Sequence, residues 1–350
     1  MGPAIRAASL RGFVPLVERL GGEPYRLLAR FGIPADALDA EDAWIPITEH
    51  DLMLDAAAAE LRCPDLGLRL AETQDLTILG PLAVAIQACP TAAEALETGS
   101  RYLYAHSPAL RVAVEPDPHR RPGVVGLTYR KDLRESPYSP QATELGLGLF
   151  FRIAHTLVGG LSGLRSVELP HQPLSPVRRY TDYFGADVKF GRTTAVLRVD
   201  RRVLDEAFAT ANESIRLLAL DHISRRYDDP AQRVSTQVRG ALAEVLGTNP
   251  PAVSAVARLL ALHPRTLQRR LAAEGTSFEA VLDEVRRDAT LRHLTTTAMP
   301  LAQVATLVGF TEQSTLSHAV RRWFGCTPRE LRRDAARPAL TGPPSRTLSH

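Results

Sequence analysis

An eight-residue pattern occurs twice in the last third of this chain and narrows its architecture sharply. Val256-Ala257-Arg258-Leu259-Leu260-Ala261-Leu262-His263 is answered, 48 residues later, by Val304-Ala305-Thr306-Leu307-Val308-Gly309-Phe310-Thr311. Each copy places apolar residues at i, i+3 and i+4, the spacing of one helix face. Ala257 and Ala305 are small where a second helix must cross closely. Each copy then runs into a tight turn ending on a large apolar residue, Leu262 or Phe310, and a second amphipathic segment follows. Helix, turn, helix in this order is the unit that reads DNA in the major groove.

The second helices present comparable outer rows at about 100° per residue. Over Pro264–Ala273, Leu267 and Leu271 point to the core, and Arg265, Gln268, Arg269 and Ala272 lie opposite. Over Glu312–Phe324, Leu316, Val320, Trp323 and Phe324 form the core stripe, and Ser314, Ser317, His318 and Arg321 lie opposite. Arg and Gln suit bidentate contacts to guanine and adenine edges, each worth about 1–3 kcal/mol of discrimination. A solvated polar face is the alternative for either helix alone; two copies with matching turns favour a reading row. Between them, Ser277–Leu294 carries Phe278, Val281, Leu282, Val285 and Ala289 at helical spacing. Such a helix is about 27 Å long, near the one-turn separation of about 34 Å between successive major grooves. Arg286, Arg287, Arg322 and Arg329 are candidates for the phosphate contacts that set register, each against an equal alternative of a surface Arg without a role.

Charge distribution agrees. The net charge of +3 is too small to argue nucleic-acid binding, but Ser235–Asp334 holds 13 Arg against 9 acidic residues, while the first 234 residues are net negative. Cys63, Cys89 and Cys326 are odd in number and far apart, which speaks against a disulfide framework or a four-ligand zinc site and for a reducing cytoplasm. No run of 18 apolar residues predicts a membrane span, and residues 1–21 lack a signal-type core. A Gly-rich phosphate loop, a Gly-x-Ser-x-Gly elbow and a His/Cys ligand cluster are all missing from the sequence, so no catalytic residue, metal or cofactor is expected.

The 350 residues suit two or three domains. Residues 1–205 read as an α+β domain. Helical spacing marks Ile47–Leu61, Gly80–Ala88, Ala92–Tyr104 and Glu144–Val158, with Thr91 a candidate cap. Leu110–Val114 and Val124–Tyr129 read as a hairpin across a Pro-rich turn, and Ser166–Leu169, Val188–Phe190 and Ala195–Val199 as further strands. Arg201–Arg226 reads as helical. Residues 206–234, with Asp228-Asp229-Pro230, form the expected helical linker. Residues 235–335 are all-α, two helix-turn-helix units joined by a linker helix, and 336–350 an expected disordered tail.

Residues 250–333 resemble the DNA-binding domain of the AraC/XylS family of bacterial regulators. Pro264-Arg265-Thr266-Leu267-Gln268-Arg269-Arg270-Leu271 matches its first recognition helix, and Val308-Gly309-Phe310-Thr311-Glu312-Gln313-Ser314-Thr315-Leu316 with Trp323-Phe324-Gly325-Cys326-Thr327-Pro328-Arg329-Glu330-Leu331-Arg332 its second half. The resemblance puts base contacts on Arg265, Gln268 and Arg269, and on Gln313, Ser314, Ser317 and His318. Departures are Ala261, where the first turn often has Gly; His263, where Ser or Thr usually caps; and His318, where Arg is common. Residues 13–199 are similar to the effector domain of VirS-like and ornithine-utilisation-type members, through Leu79-Gly80-Pro81-Leu82-Ala83, Pro90-Thr91-Ala92-Ala93-Glu94-Ala95-Leu96 and Arg101-Tyr102-Leu103-Tyr104-Ala105-His106-Ser107-Pro108. Relatives are sometimes described as arabinose-binding, although no residue here marks a sugar site. The resemblance implies a homodimer on a double-stranded operator, a small-molecule effector and activation through RNA polymerase. Tyr102, Tyr104 and His106, alternating after an apolar helix, are candidate effector contacts; packing in the core or at the helix end is their alternative. An N-terminal domain that only dimerises the chain, or an enzyme fused to a DNA-binding domain, are the competing architectures.

Overall fold

Turn residues and apolar spacing lay out the N-terminal unit as helices packed on a twisted sheet. The structure, a computed structural model, describes residues 3–336 apart from 41, 133–135, 161, 228, 230–232 and 248–251. The expected tail therefore lies outside the described residues, except Ala336. The chain divides into two units, Met1–Asp229 and Pro230–His350.

In the first unit, β1 (Ala4–Arg6) pairs antiparallel with β2 (Trp44–Pro46), Ile5 opposite Ile45. Two short helices, α1 (Phe13–Arg19) and α2 (Pro24–Arg30), lie between them in sequence. Then come α3 (Ile47–Glu60), α4 (Leu66–Glu72), α5 (Pro81–Gln87) and α6 (Ala92–Tyr102). Thr91 caps α6, its hydroxyl accepting the Glu94 N–H at 3.3 Å. The expected hairpin forms from β3 (Leu110–Pro116) and β4 (Val124–Lys131). The long helix α7 (Pro140–Leu157) starts earlier than its apolar run. Pro140 sits in its first turn, where a missing N–H costs nothing, and the Ser139 hydroxyl accepts from Ala142 N–H at 3.1 Å. The remaining elements are β5 (Leu164–Glu168), α8 (Val177–Phe184), β6 (Asp187–Lys189) and β7 (Ala195–Asp200). Five strands join in the order β3-β4-β7-β5-β6, antiparallel except for the β5–β6 pair. Strand β7, central in that order, is buried along its whole length, and α7 packs on β4 and β7. This α+β layering is the class the strand and helix patterns predict.

A buried ion pair ties the hairpin turn to the central strand. Arg198 donates to both carboxylate oxygens of Asp117, at 2.6 and 2.8 Å, and to the Ser166 hydroxyl at 2.9 Å. The Arg198 guanidinium holds the Asp117 carboxyl down at about 2.

The stretch after β7 departs from expectation. Residues 201–205 form a 3-10 turn, and α9 (Glu213–Arg226) begins only after an Asn212 cap. The interval is held extended because Ala92 N–H donates to the Glu206 carbonyl, and Phe208 N–H to that of Pro90. Helix α9 is not a free linker: Ala219 and Ile223 are buried, Ile223 in the first unit's core, and the helix packs beside α5. Its buried face is sparse, which is why the sequence alone reads it as a connector.

Among the described residues the second unit's regular elements are all helices: α10 (Val234–Val245), α11 (Val253–Leu259), α12 (Pro264–Ala273), α13 (Phe278–Thr296), α14 (Leu301–Leu307), α15 (Gln313–Phe324) and α16 (Pro328–Ala336). It has two cores. Val238, Leu242, Val256, Leu267 and Leu271 meet Phe278, Val281 and Val285 of α13 in one. Val304, Val308, Leu316 and Val320 meet Ala289 and Leu294 of the same helix in the other. Each fully buried Leu or Val contributes about 1.5–3 kcal/mol, so both helix-turn-helix units are anchored on opposite halves of α13.

Candidate nucleic-acid interface and ligand cavity

The two helix-turn-helix turns share one hydrogen-bond pattern. Leu262 N–H donates to the Ala257 carbonyl and Ala261 N–H to that of Arg258; Phe310 N–H donates to Ala305 and Gly309 N–H to Thr306. This helix-ending motif favours a left-handed residue directly after the helix's C-cap. Gly309 supplies it freely at φ 75°, and Ala261 adopts it with a Cβ at φ 52°. His263 does cap α12, its Nδ1 accepting the Arg265 N–H, but at a long 3.3 Å. Glu312 precedes α15 without a side-chain cap bond.

The two polar rows expected to meet DNA face outward. Leu267 and Leu271 of α12 are fully buried, while Arg265, Gln268 and Arg269 are exposed. Leu316, Ala319 and Val320 of α15 are buried; Gln313, Ser314, His318 and Arg321 are exposed and Ser317 half-buried. Two of these hydroxyls already have local partners. Ser314 donates to the Glu312 carboxylate at 3.0 Å, and Ser317 donates to the Gln313 carbonyl at 3.1 Å. Their first role here is within the helix.

The four arginines assigned to phosphate are not equivalent. Arg286 departs from that reading. It is half-buried, donates to the carbonyls of Val308 at 3.1 Å and Gly309 at 2.6 Å, and lies 4.5 Å from the Phe310 ring centroid. Those carbonyls lie just past the C-terminal end of α14, where a cation satisfies groups that have no partner within the helix. Arg286 clamps α13 to the second turn. Arg322 is exposed but ion-paired to Asp283, whose other oxygen accepts the Trp323 indole N–H at 2.8 Å. This second clamp joins α13 to α15. Arg287 lies half-buried with its guanidinium 5.6 Å from the Phe324 ring, and Arg329 is exposed on α16. On the other half, the Glu274 carboxylate accepts the N–H groups of Val234 and Ser235 at the start of α10, and Arg239 pairs with Glu284.

The first unit contains a cavity of about 140 Å³. Its walls come from α6, β3, β4, α7 and the 201–205 turn, and include Leu96, Leu127, Leu145, Leu149 and Ile153. Of the three expected effector residues only His106 reaches it. Tyr104 packs into the core, where burial pushes its hydroxyl up to about 12, and Tyr102 packs against that core 6.1 Å from it. His106 is joined on the wall by Ser9, His50 and Gln74, which the sequence reading missed. A signal existed for His50: with Asp51 it falls on the stripe of Ile47, Leu54 and Ala57 in α3, where only buried residues belong. Burial pulls His106 down to about 3, so its ring is neutral.

Both units match known domains. The arabinose-binding domain of AraC transcription regulator, N-term, matches residues 21–208, and a helix-turn-helix domain matches residues 256–334. The HTH-type transcriptional regulator VirS of Mycobacterium tuberculosis is 37% identical over 332 residues, covering 95% of this chain and 97% of that one. The ornithine utilization regulator of Pseudomonas aeruginosa is 26% identical over 331 residues, covering 94% and 96%. The crystal structure of transcriptional regulator CdpR from Pseudomonas aeruginosa aligns with a TM-score of 0.43 at 26% identity, over 88% of this chain and 96% of that one. Among the described residues no helix is long and apolar enough to cross a membrane. Matched in both units and along nearly its whole length, the chain belongs to the AraC family of transcription regulators and joins an arabinose-binding-type domain to a DNA-binding helix-turn-helix domain.

Proposed function

We propose that α12 and α15 enter successive major grooves on one face of an operator, with Arg265, Gln268 and Arg269 reading one segment and Gln313, Ser314, Ser317, His318 and Arg321 the other. The observation that carries this is the anchoring of two outward polar rows on a single helix. Helix α13 has 19 residues and is about 28 Å long, close to the rise of one DNA turn. Arg287 and Arg329 flank the rows as phosphate contacts, and Arg322 can join them by exchanging Asp283 for a phosphate.

The first unit senses a small molecule in its cavity, and the chain acts in the cytoplasm as a homodimer that activates transcription through RNA polymerase. Dimerisation is supported by Ile215, Leu217 and Leu218 on α9, which expose apolar side chains, Leu218 by 72%. Arg269→Ala tests the base reading. It should weaken operator binding by about 1–3 kcal/mol and relax preference at one or two base pairs. An equal loss on random-sequence DNA would make Arg269 a phosphate contact instead.

A further inference from the structure

Four residues that line the cavity each hold a buried polar atom with no hydrogen-bond partner among the described residues: the Ser9 hydroxyl, His50 Nε2, Gln74 Oε1 and His106 Nδ1. These residues are at most 4% exposed. Unpaired buried polar atoms each carry a desolvation cost, and four around one space point to a guest that pairs with them. They belong to segments bonded to one another. The Gln74 amide N–H₂ donates to the Ser9 and Arg11 carbonyls at 2.8 and 2.9 Å, and Arg6 N–H donates to the His106 carbonyl at 2.9 Å. The four residues thus contribute buried polar atoms beside a cavity whose lining is otherwise almost wholly apolar.

Resting on the reading of this unit as an effector domain, we propose that the cavity takes a small, largely apolar, neutral molecule with a hydrogen-bond-donating head, an alcohol or a phenol. The atom types set the head group. Gln74 Oε1 can only accept. The Nδ1–H of His50 faces the Asp51 carboxylate at 2.9 Å, which leaves Nε2 as an acceptor. The neutral His106 ring has its Nδ1 without a partner among the described residues, so that nitrogen can accept too. Only the Ser9 hydroxyl can donate. Three acceptors and one hydroxyl repel a carboxylate and call for a donor.

The local charges select neutrality. Lys131, on the wall, holds both oxygens of Asp51 at 2.8 Å, so among the described lining residues neither a cation for a carboxylate nor an anion for an ammonium is left over. A sugar carries hydroxyls on all sides, and most would meet Leu and Ile. The volume is close to that of an apolar cavity known to hold a benzene-sized guest, about 150 Å³.

The test is thermal melting and calorimetric titration of the full chain with phenol, cyclohexanol, benzoate and arabinose. Phenol and cyclohexanol should raise the melting temperature and saturate; benzoate and arabinose should not. Ser9→Ala should leave the unliganded melting temperature unchanged or higher, because the hydroxyl lacks a partner, yet weaken phenol binding by about three- to tenfold. Gly99→Met, on the α6 wall where an added Cβ meets nothing closer than 3.8 Å, should fill the space and abolish binding. Benzoate or arabinose binding at least as tightly as phenol overturns the donor-head assignment and leaves the effector reading standing. Failure of all four probes also overturns the assignment. A Gly99→Met chain that regulates a reporter gene as the parent does, with and without inducing extract, overturns the effector reading itself.

Discussion

At Ala261 a methyl group sits in a left-handed backbone that its counterpart Gly309 adopts freely, at φ 52° and 75°. Relief of that strain, roughly 1–2 kcal/mol, exceeds the entropy that glycine adds to the unfolded chain, roughly 0.5–1 kcal/mol. Ala261→Gly is expected to stabilise the C-terminal unit by about 0.5–1 kcal/mol in denaturant unfolding; a loss of stability would show that the turn relaxes around the methyl. This strain is legible in the sequence, because alignment of the two copies puts Ala where Gly stands. The role of Arg286 is not. Its acceptors, Val308 and Gly309, lie 22 and 23 residues on, and nothing in a helical pattern tells a clamp from a phosphate contact. Arg286→Ala should lower stability by about 1.5–3 kcal/mol, as for hydrogen bonds from a charged group. The slope of log affinity against log salt should not change; a slope smaller by about one would restore Arg286 as a phosphate contact.

Among the elements, α13 is the one on which function turns. Its apolar residues change partners midway, Val281 and Val285 serving the first core and Ala289 and Leu294 the second. Asp283, Glu284 and Arg286 add polar ties on both sides. The helix and its apolar stripe are legible from spacing alone. The division of the stripe is not, since it depends on which helices arrive. In the first unit, the hairpin, the other three sheet strands and α3 follow from period and turn residues, but β1 and β2, which pair only with each other, do not. The sheet carries its own pH dependence. Asp117 titrates lower when folded than its ordinary 3.8 because Arg198 grips it. The stability from this pair is complete above 3.8 and is lost as pH falls toward about 2. Acid unfolding of the parent should steepen across that interval. Asp117→Asn should flatten it and unfold more readily at neutral pH; identical acid profiles would remove the pair from the account.

For the whole molecule, the DNA-binding half was the more legible because a duplicated motif supplies its own control: two copies agree on turn, core and outer row. The cavity was less so. Its wall draws on β1, β3, β4, four helices and connecting turns, and its buried polar atoms belong to Ser9, His50, Gln74 and His106, which are scattered along the first third of the chain. Only His106 stood in a stretch with a recognisable signature. The levels meet in α13, whose two halves anchor α12 and α15. The most direct test is hydroxyl-radical and methylation footprinting of the full chain on its own operator, at base-pair resolution. The account predicts major-groove protection in pairs on one face of the duplex, the members of a pair about 10–10.5 base pairs apart, with one pair per protomer. Loss of one member in each pair should follow Arg269→Ala. A single protected groove per protomer, or paired patches on opposite faces, would contradict it.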